Sequence, residues 1–228
     1  MKRAWVNRLF PVRTDHFQAE ISGTMSTQQT DANALQELKK NLRAQAHERR
    51  NAQENKDGLS EIICDQLMAT PEYQAAKTVL WYVDVRSEVR TRNHFPKALG
   101  KGQKVIVPYC VDGLLDLFHL ESMDELSLGM YRILEPKTEL RDQPGKRVYP
   151  QELDLVVVPG VAFDRRGGRM GHGFGYYDKL LEHVKPGTPL LALAFECQVY
   201  DEIPVASHDV FMNAVITEKG VIRPAKNA

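Results

Sequence analysis

Short apolar segments that alternate with helical segments constrain the fold of this chain more than any other feature. Their β-branched and aromatic composition predicts buried strands at residues 78–83, 104–108, 154–159, 189–195 and 214–217, and a further strand at 114–120 follows an Asp112-Gly113 turn. Strands that are apolar throughout are buried on both faces, as in parallel sheets covered by helices. The sequence therefore predicts a single α/β domain with a mainly parallel sheet between helices on both faces, a Rossmann-like three-layer arrangement.

Two helices are predicted before the first strand. Residues 34–50 carry apolar side chains at helical spacing, with Asp31 as the N-cap, and a second helix covers residues 59–68 before Pro71. We expect both helices to pack on the sheet of a domain that spans residues 31–224. Residues 1–30 are predicted to be a disordered extension. A targeting peptide within residues 1–24, or an upstream start with Met25 as the natural first residue, are the alternatives.

Charge and cysteine content exclude several classes of function. Lysine plus arginine and aspartate plus glutamate number 30 each, which argues against a nucleic-acid or anionic-membrane partner. No segment approaches the roughly 18 consecutive apolar residues of a membrane helix. Cys64, Cys110 and Cys197 are widely spaced and odd in number, so we expect reduced thiols rather than a disulfide framework or zinc site. These features predict a cytoplasmic protein, and we expect a monomer.

The strand at 154–159 leads into a segment rich in glycine. Gly171, Gly173 and Gly175 alternate before a predicted helix at 176–184, and Arg169 precedes them. Glycines let backbone N–H groups approach an anion, and ligands of open α/β sheets bind beyond the carboxyl ends of strands. The spacing matches neither the dinucleotide fingerprint nor the P-loop. The alternative is a turn in which glycine serves geometry alone.

Two aspartates near this segment are candidate metal ligands. Asp178 falls in the first turn of the predicted helix, and Asp209 precedes the last strand. The carboxylate of Asp178 can hold Mg²⁺ against phosphates bound in the loop, and Asp209 is a second carboxylate. Alternatively, Asp178 complements the helix dipole and Asp209 caps a turn.

An ordered set of motifs between about residues 35 and 220 resembles the 5-formyltetrahydrofolate cyclo-ligase family, also called methenyltetrahydrofolate synthetases. The longest motif is GRMGHGFGYYD at residues 168–178, after Pro159-Gly160 and Phe163-Asp164. The others are KKNLR at 39–43 with Arg49, EVRT at 88–91, LEP at 134–136, AFECQ at 194–198, DEIP at 201–204, HD at 208–209 and VITE at 215–218.

The resemblance implies an ATP- and Mg²⁺-dependent enzyme that cyclises 5-formyltetrahydrofolate to 5,10-methenyltetrahydrofolate through a phosphorylated formyl group. It implies that Arg169 and Tyr176 are catalytic and that Asp178 and Asp209 bind Mg²⁺. The implied ATP-binding residues are Lys39, Arg43, Arg169, Met170, Gly171, His172, Gly173, Phe174, Gly175, Tyr176 and Tyr177. The implied folate-binding residues are Val83, Glu88, His172, Gly173, Phe174, Gly175 and Tyr176.

The sequence departs from the family pattern at a few positions. His172 and Phe174 stand at variable positions, Arg132 replaces an expected glycine, and Asn213 replaces an expected aspartate, which bears on the charge near the metal. Two other functions remain open: a different ATP-dependent transferase or kinase built on the same loop, and a folate-binding protein without turnover. The formation of methenyltetrahydrofolate distinguishes both from the cyclo-ligase.

Overall fold

The structure is a computed structural model of the 228-residue chain that describes the backbone of residues 15–129, 133–206 and 209–225, with side chains from residue 33. The chain divides into two compact units, residues 1–40 and residues 41–228. The described part of the first unit is helical. The second unit contains the sheets. Within the described residues, no helix combines the length and apolarity needed to cross a membrane.

The secondary structure of the described residues is as follows. The helices are α1 (Asp15–Ala52), α2 (Lys56–Ala69), α3 (Pro71–Ala75), α4 (Phe95–Leu99), α5 (Thr138–Arg141) and α6 (Tyr176–Leu181). The strands are β1 (Thr78–Leu80), β2 (Lys104–Val111), β3 (Leu114–Leu120), β4 (Leu126–Leu128), β5 (Leu134–Pro136), β6 (Arg147–Val148), β7 (Leu155–Val158), β8 (Ala162–Asp164), β9 (Arg169–Met170), β10 (Leu190–Leu193), β11 (Val199–Tyr200), β12 (Ala214–Thr217) and β13 (Gly220–Ile222).

The largest sheet has the strand order β13-β12-β10-β7-β1-β2-β3-β6. The five strands from β12 to β2 pair in parallel, and antiparallel strands extend the sheet at both edges. The chain passes from β1 to β2 on one side and later enters β7 on the other side, so the strand order reverses between β1 and β7. The carboxyl ends of these two strands are where an open α/β sheet binds its ligand.

Helices cover both faces of this sheet, as the sequence predicts. Leu155 of β7 lies in a buried cluster with Leu67 of α2 and Phe95 of α4. The next residue, Val156, lies in a second cluster with Leu180 of α6. Burying one such side chain fully contributes about 1.5–3 kcal/mol. The continuous apolar pattern of the strands therefore reflects two cores, one on each face.

Local signals set several of the boundaries between elements. Pro71 occupies the start of α3, and Oγ1 of Thr70 accepts a hydrogen bond from the N–H of Tyr73 at 3.3 Å. Asp112 and Gly113 have φ of 49° and 78°, and they form the turn between β2 and β3. Positive φ at two successive turn residues suits the twist of a hairpin, which explains the Asp-Gly signal.

The predicted strands are confirmed, whereas some of the predicted helix boundaries are wrong. Asp31 lies inside α1 rather than at its N-cap. The helix expected at 176–184 ends at Leu181. Between β3 and β7 the chain also forms the short elements β4, β5, α5 and β6. Residues 15–30 of the predicted disordered extension lie within α1. Residues 1–14 lie outside the described part, so the extension stays a prediction there.

Candidate active site

Two loops meet where the strand order of the main sheet reverses. Residues 81–92 follow β1, and residues 159–175 follow β7, which pairs with β1. The first loop carries Glu88, and the second carries the three alternating glycines. His172 of the second loop connects them, because its Nε2 lies 3.1 Å from Oε1 of Glu88. Both segments that the sequence singled out therefore lie at the same position of the fold.

The carboxylate of Glu88 is buried at this junction, with the residue 5% exposed. Its Oε2 accepts a hydrogen bond from the N–H of Val85 at 3.0 Å. Its Oε1 lies 3.9 Å from NH1 of Arg50, besides the contact with His172. A buried charge is tolerated only when opposite charges and hydrogen-bond donors surround it. Glu88 has both, so the site contains an enclosed acceptor with a fixed orientation.

Three basic side chains of α1 face these loops. Arg43, His47 and Arg50 are spaced by four and three residues and so share one face of the helix. Nε of Arg43 donates to the carbonyl oxygen of Gly171 at 3.0 Å, and the ring of His47 lies 5.2 Å from that of His172. Burial lowers the pKa of His47 below its ordinary value of 6.5, and the charge of Arg50 lowers this pKa further. His47 is therefore neutral at pH 7.

Two buried aspartates fix the backbones of the loops. Oδ1 of Asp84 accepts the N–H of Arg92 at 3.0 Å in the first loop. Asp164 accepts the N–H of Gly168 at 2.8 Å and that of Ile203 at 3.2 Å. Burial raises the pKa of Asp84, although the hydrogen bond and charge of Arg92 oppose the shift. Neither aspartate was assigned a role from the sequence, and both hold the loops in place.

The glycine loop requires glycine at two positions for conformational reasons. Gly173 and Gly175 have φ of 99° and 71°, a region that residues with a Cβ rarely adopt. The guanidinium carbon of Arg43 would lie 3.6 Å from a Cβ at position 173, so this cation lies directly against the loop. Between the two glycines, Phe174 is 74% exposed, with its ring 6.0 Å from that of Tyr176. The loop thus presents an aromatic surface beside a cation.

Arg169 lies at the base of the glycine loop, with its side chain 5% exposed. Its NH2 contacts Oδ1 of Asp178, and its NH1 donates to the carbonyl oxygen of Pro159 at 3.4 Å. Its Nε is buried and has no partner among the described residues. Burial lowers the pKa of Arg169, whereas the negative charges of Asp178 and Asp209 raise it. Both candidate metal ligands therefore act on one enclosed guanidinium.

The donor chemistry of Asp178 and Asp209 fits Mg²⁺ in combination with phosphate. The side chain of Asp178 is 53% exposed, and Oδ2 of Asp209 accepts the N–H of Ala206 at 2.6 Å. In the part of the chain that the structure describes, no group of three or more His, Cys, Asp or Glu side chains is arranged to hold a metal. Mg²⁺ is commonly bound by one or two carboxylates together with substrate phosphates. The two aspartates suit that kind of site.

The other side chains assigned from the sequence lie partly in the core. Val83 and Met170 are 8% and 3% exposed and belong to buried clusters, so a ligand would reach their backbones rather than their side chains. The hydroxyl of Tyr177 is buried without a hydrogen-bond partner among the described residues, and burial raises its pKa. Tyr176 is half-buried at the start of α6.

Comparison with known proteins decides the family. The model of the 5-formyltetrahydrofolate cyclo-ligase family matches residues 30–218, which is most of the chain. The chain belongs to this family. The resemblance seen in the motifs is thereby confirmed.

Relatives of this cyclo-ligase family member cover most of its length. The 5-formyltetrahydrofolate cyclo-ligase of Mus musculus is 32% identical over 80% of this chain and 90% of its own. A probable 5-formyltetrahydrofolate cyclo-ligase of Schizosaccharomyces pombe is 31% identical over 73% of this chain and 87% of its own. The NMR structure of 5,10-methenyltetrahydrofolate synthetase from Aquifex aeolicus is 34% identical, with a TM-score of 0.73 over 84% of this chain and 95% of that one.

The structure brings together most of the charged residues that the sequence assigned. Arg43 contacts Gly171 of the glycine loop, and Glu88 contacts His172 of the same loop. Asp178 and Asp209 lie near Arg169. Lys39 belongs to the first unit, so its contact with ATP stays a prediction.

Sequence analysis missed His47 and Arg50, although their spacing from Arg43 is a helical signal. It selected Arg49 instead, whose guanidinium lies 4.9 Å from the ring centre of Tyr200.

The structure describes Asn213, one of the residues that depart from the family pattern, but not Arg132. The side-chain oxygen of Asn213 accepts the N–H of Leu190 at 2.7 Å, so this residue joins the starts of β12 and β10. The starts of parallel strands lie at the opposite edge from their carboxyl ends, where the site is. Arg132 lies outside the described residues, as does His208 of the HD motif.

Proposed function

We propose that this chain cyclises 5-formyltetrahydrofolate to 5,10-methenyltetrahydrofolate with ATP as co-substrate, releasing ADP and phosphate. The observation that carries the proposal is the contact between Glu88 and His172, since it joins the loop assigned to the pterin with the loop assigned to ATP. Membership in the cyclo-ligase family and the activities named for the mouse and Aquifex aeolicus proteins support the same reaction.

The proposed reaction needs activation because the oxygen of a formamide is a poor leaving group. The formyl oxygen attacks the γ-phosphorus of ATP, and the bond from that phosphorus to the β–γ bridging oxygen breaks, so that ADP leaves. N10 then attacks the carbon of the resulting iminium phosphate and loses its proton. The carbon–oxygen bond breaks and phosphate departs with the oxygen. The carbon remains bonded to N5 and N10 as the methenyl cation.

The protein contributes positioning and charge neutralisation to such a reaction. In our proposal, Lys39 and Arg43 contact the phosphates from α1, and residues 169–177 surround the nucleotide. Arg169 is catalytic because its guanidinium is enclosed, and its charge acts strongly where water is excluded. The family resemblance is the basis for proposing Tyr176, at the start of α6, as the second catalytic residue; its ring lies 6.0 Å from that of the exposed Phe174.

The folate would bind beside the other loop. Glu88 accepts hydrogen bonds from N–H groups of the pterin, and the backbone near Val83 lines the same side. His172 contacts Oε1 of Glu88 and is 31% exposed at its side chain. A pterin that uses this carboxylate oxygen would therefore displace the imidazole. Because His172 belongs to the glycine loop, this displacement would couple folate binding to the loop that surrounds the nucleotide.

Asp178 and Asp209 are the residues that would hold Mg²⁺ with the phosphates of ATP. Bound there, Mg²⁺ would offset the charge on the phosphate oxygens. Asp178 contacts Arg169, so the carboxylate that would hold the metal and the cation that would contact the phosphate are adjacent.

We further propose that the enzyme acts as a monomer in the cytoplasm, on small-molecule substrates and without nucleic-acid or membrane partners. The equal numbers of acidic and basic residues and the three cysteines without disulfides are consistent with this assignment.

The test uses the purified full chain with 5-formyltetrahydrofolate, ATP and Mg²⁺, followed by near-ultraviolet absorbance of methenyltetrahydrofolate. Each component is omitted in turn, and ADP is measured in parallel. We expect product only in the complete mixture, with one ADP for each methenyltetrahydrofolate. Consumption of ATP without the absorbance change would favour a kinase or transferase. Folate binding without consumption of ATP would favour a binding protein, and either outcome would overturn the proposal.

A further inference from the structure

Arg50 is an enclosed cation at the junction of the two active-site loops. The residue is 1% exposed, and its guanidinium uses several donors. Nε donates to Oγ of Ser87 at 3.1 Å, and NH1 donates to the carbonyl oxygen of Gly160 at 3.2 Å. NH1 also lies 3.9 Å from Oε1 of Glu88, and NH2 lies 3.5 Å from Nδ1 of His47. One side chain of α1 therefore contacts the loops after β1 and after β7 together.

A buried guanidinium is unfavourable unless its surroundings compensate it. Burial lowers the pKa of Arg50, and the charge of Glu88 raises it. An arginine nevertheless remains protonated. Arg86 acts on this group as a like charge, whereas the carboxylate of Glu88 is the main compensating charge. Arg50 and Glu88 thus require each other in this enclosed position.

Gly160 and Glu88, two partners of Arg50, would keep different contacts if Arg50 were removed. The carbonyl oxygen of Gly160 also accepts a hydrogen bond from Nε2 of Gln198 at 3.1 Å, and Gln198 is 1% exposed. The start of the glycine loop therefore keeps a buried donor without Arg50. Glu88 would keep the Val85 N–H and His172, but the imidazole is the contact that a bound pterin displaces. The folate side of the site consequently depends on Arg50 more than the nucleotide side does.

We propose that Arg50 is a positioning residue that fixes the carboxylate of Glu88 for the pterin. The inference rests on the proposed function, because it concerns the orientation of the folate. Arg50 acts through Glu88 and need not touch a substrate. Its contact with Glu88 is enclosed and would persist when folate binds. The contact of His172 with Glu88 is half-exposed and would be replaced by the pterin.

The test compares Arg50→Met with Arg50→Lys in the full chain. Methionine keeps the unbranched length without the charge. We expect the KM for 5-formyltetrahydrofolate to rise by about tenfold or more, because the buried carboxylate of Glu88 loses its compensating charge. The KM for ATP should change much less. Lysine restores a charge but not the planar fork, so it should recover part of the folate KM. Arg223→Met is the matched control, since it removes the Arg223–Glu72 pair at 2.7 Å elsewhere and should leave both KM values unchanged.

Calorimetric titration of 5-formyltetrahydrofolate without ATP supplies a second measurement. We expect the Kd for folate to rise in Arg50→Met and to recover partly in Arg50→Lys. An unchanged folate Kd, or a KM for ATP that rises as much as that for folate, would overturn the inference. If the methionine variant does not fold, Arg50→Lys and Ser87→Ala carry the same comparison, and normal folate binding by both would also overturn it. Failure of the wild-type chain to form methenyltetrahydrofolate refutes the proposed function instead.

Discussion

Replacing Glu88 by glutamine tests the electrostatics of the candidate site most directly, because the two side chains have nearly the same shape. The amide of glutamine has one N–H₂ group where the carboxylate has an acceptor. In one orientation this donor faces the N–H of Val85, which the carboxylate accepts at 3.0 Å. In the other it faces the guanidinium of Arg50, which lies 3.9 Å from Oε1. The first orientation sets donor against donor, and either orientation leaves the charge of Arg50 uncompensated.

The expected magnitude follows from these contacts. Loss of a hydrogen bond to a charged group costs about 1.5–3 kcal/mol, and an unpaired buried partner adds to the cost. We expect the free energy of unfolding to fall by about 2–3 kcal/mol, which lowers the Tm of a chain of this length by about 4–12 °C. If the pterin uses the same carboxylate, a loss of about 1.5–3 kcal/mol corresponds to a roughly 10- to 100-fold weaker folate affinity.

The assay combines thermal unfolding with steady-state kinetics in which each substrate is varied separately. Glu182→Gln serves as the control, because Glu182 is exposed at the end of α6 and should behave as wild type. An increase in the KM for ATP alone would mean that Glu88 is assigned to the wrong ligand. An unchanged Tm together with an unchanged folate KM would refute the argument from the buried ion pair.

Other perturbations test the metal, the nucleotide contacts and the titration of a buried histidine. Asp178→Asn should lower activity at least about tenfold and raise the Mg²⁺ requirement, as expected for loss of a charged ligand, and Asp209→Asn should act similarly; unchanged Mg²⁺ dependence in rate measurements would contradict the metal role. Replacing Lys39 and Arg43 together by methionine should leave the Tm without ligand similar to that of the wild type. It should raise the KM for ATP and weaken the stabilisation by ATP in a thermal-shift titration. An unchanged ATP-induced shift would exclude their contact with the phosphates. Burial lowers the pKa of His94 below its ordinary 6.5, so the unfolded chain binds a proton there at higher pH than the folded chain. The free energy of unfolding should therefore fall as the pH drops through and below 6.5. Urea midpoints measured between pH 7.5 and 5.5 should show this decrease, and His94→Gln should make it smaller.

The sequence by itself determined the strands, the class of fold and the two segments that carry the candidate chemistry. Residues 155–158 and 214–216 are apolar without interruption, and this local pattern is enough to identify a strand that is buried on both faces. The Asp112-Gly113 pair identified the hairpin, because positive φ at both positions is a property of these two residues and their neighbours. The glycine loop was found for the same reason, since its spacing is visible in one short segment.

Only the tertiary structure decided which polar side chains meet. Arg49 and Arg50 are adjacent and chemically identical, yet Arg50 is enclosed against Gly160, 110 residues away, while Arg49 lies beside Tyr200. The contact between Glu88 and His172 spans 84 residues. Helical periodicity gives the direction of a side chain relative to its own helix, but not the element that packs on that face. That depends on the reversal of strand order between β1 and β7, which brings both loops to α1 and converts a solvated cation into a buried partner of Glu88.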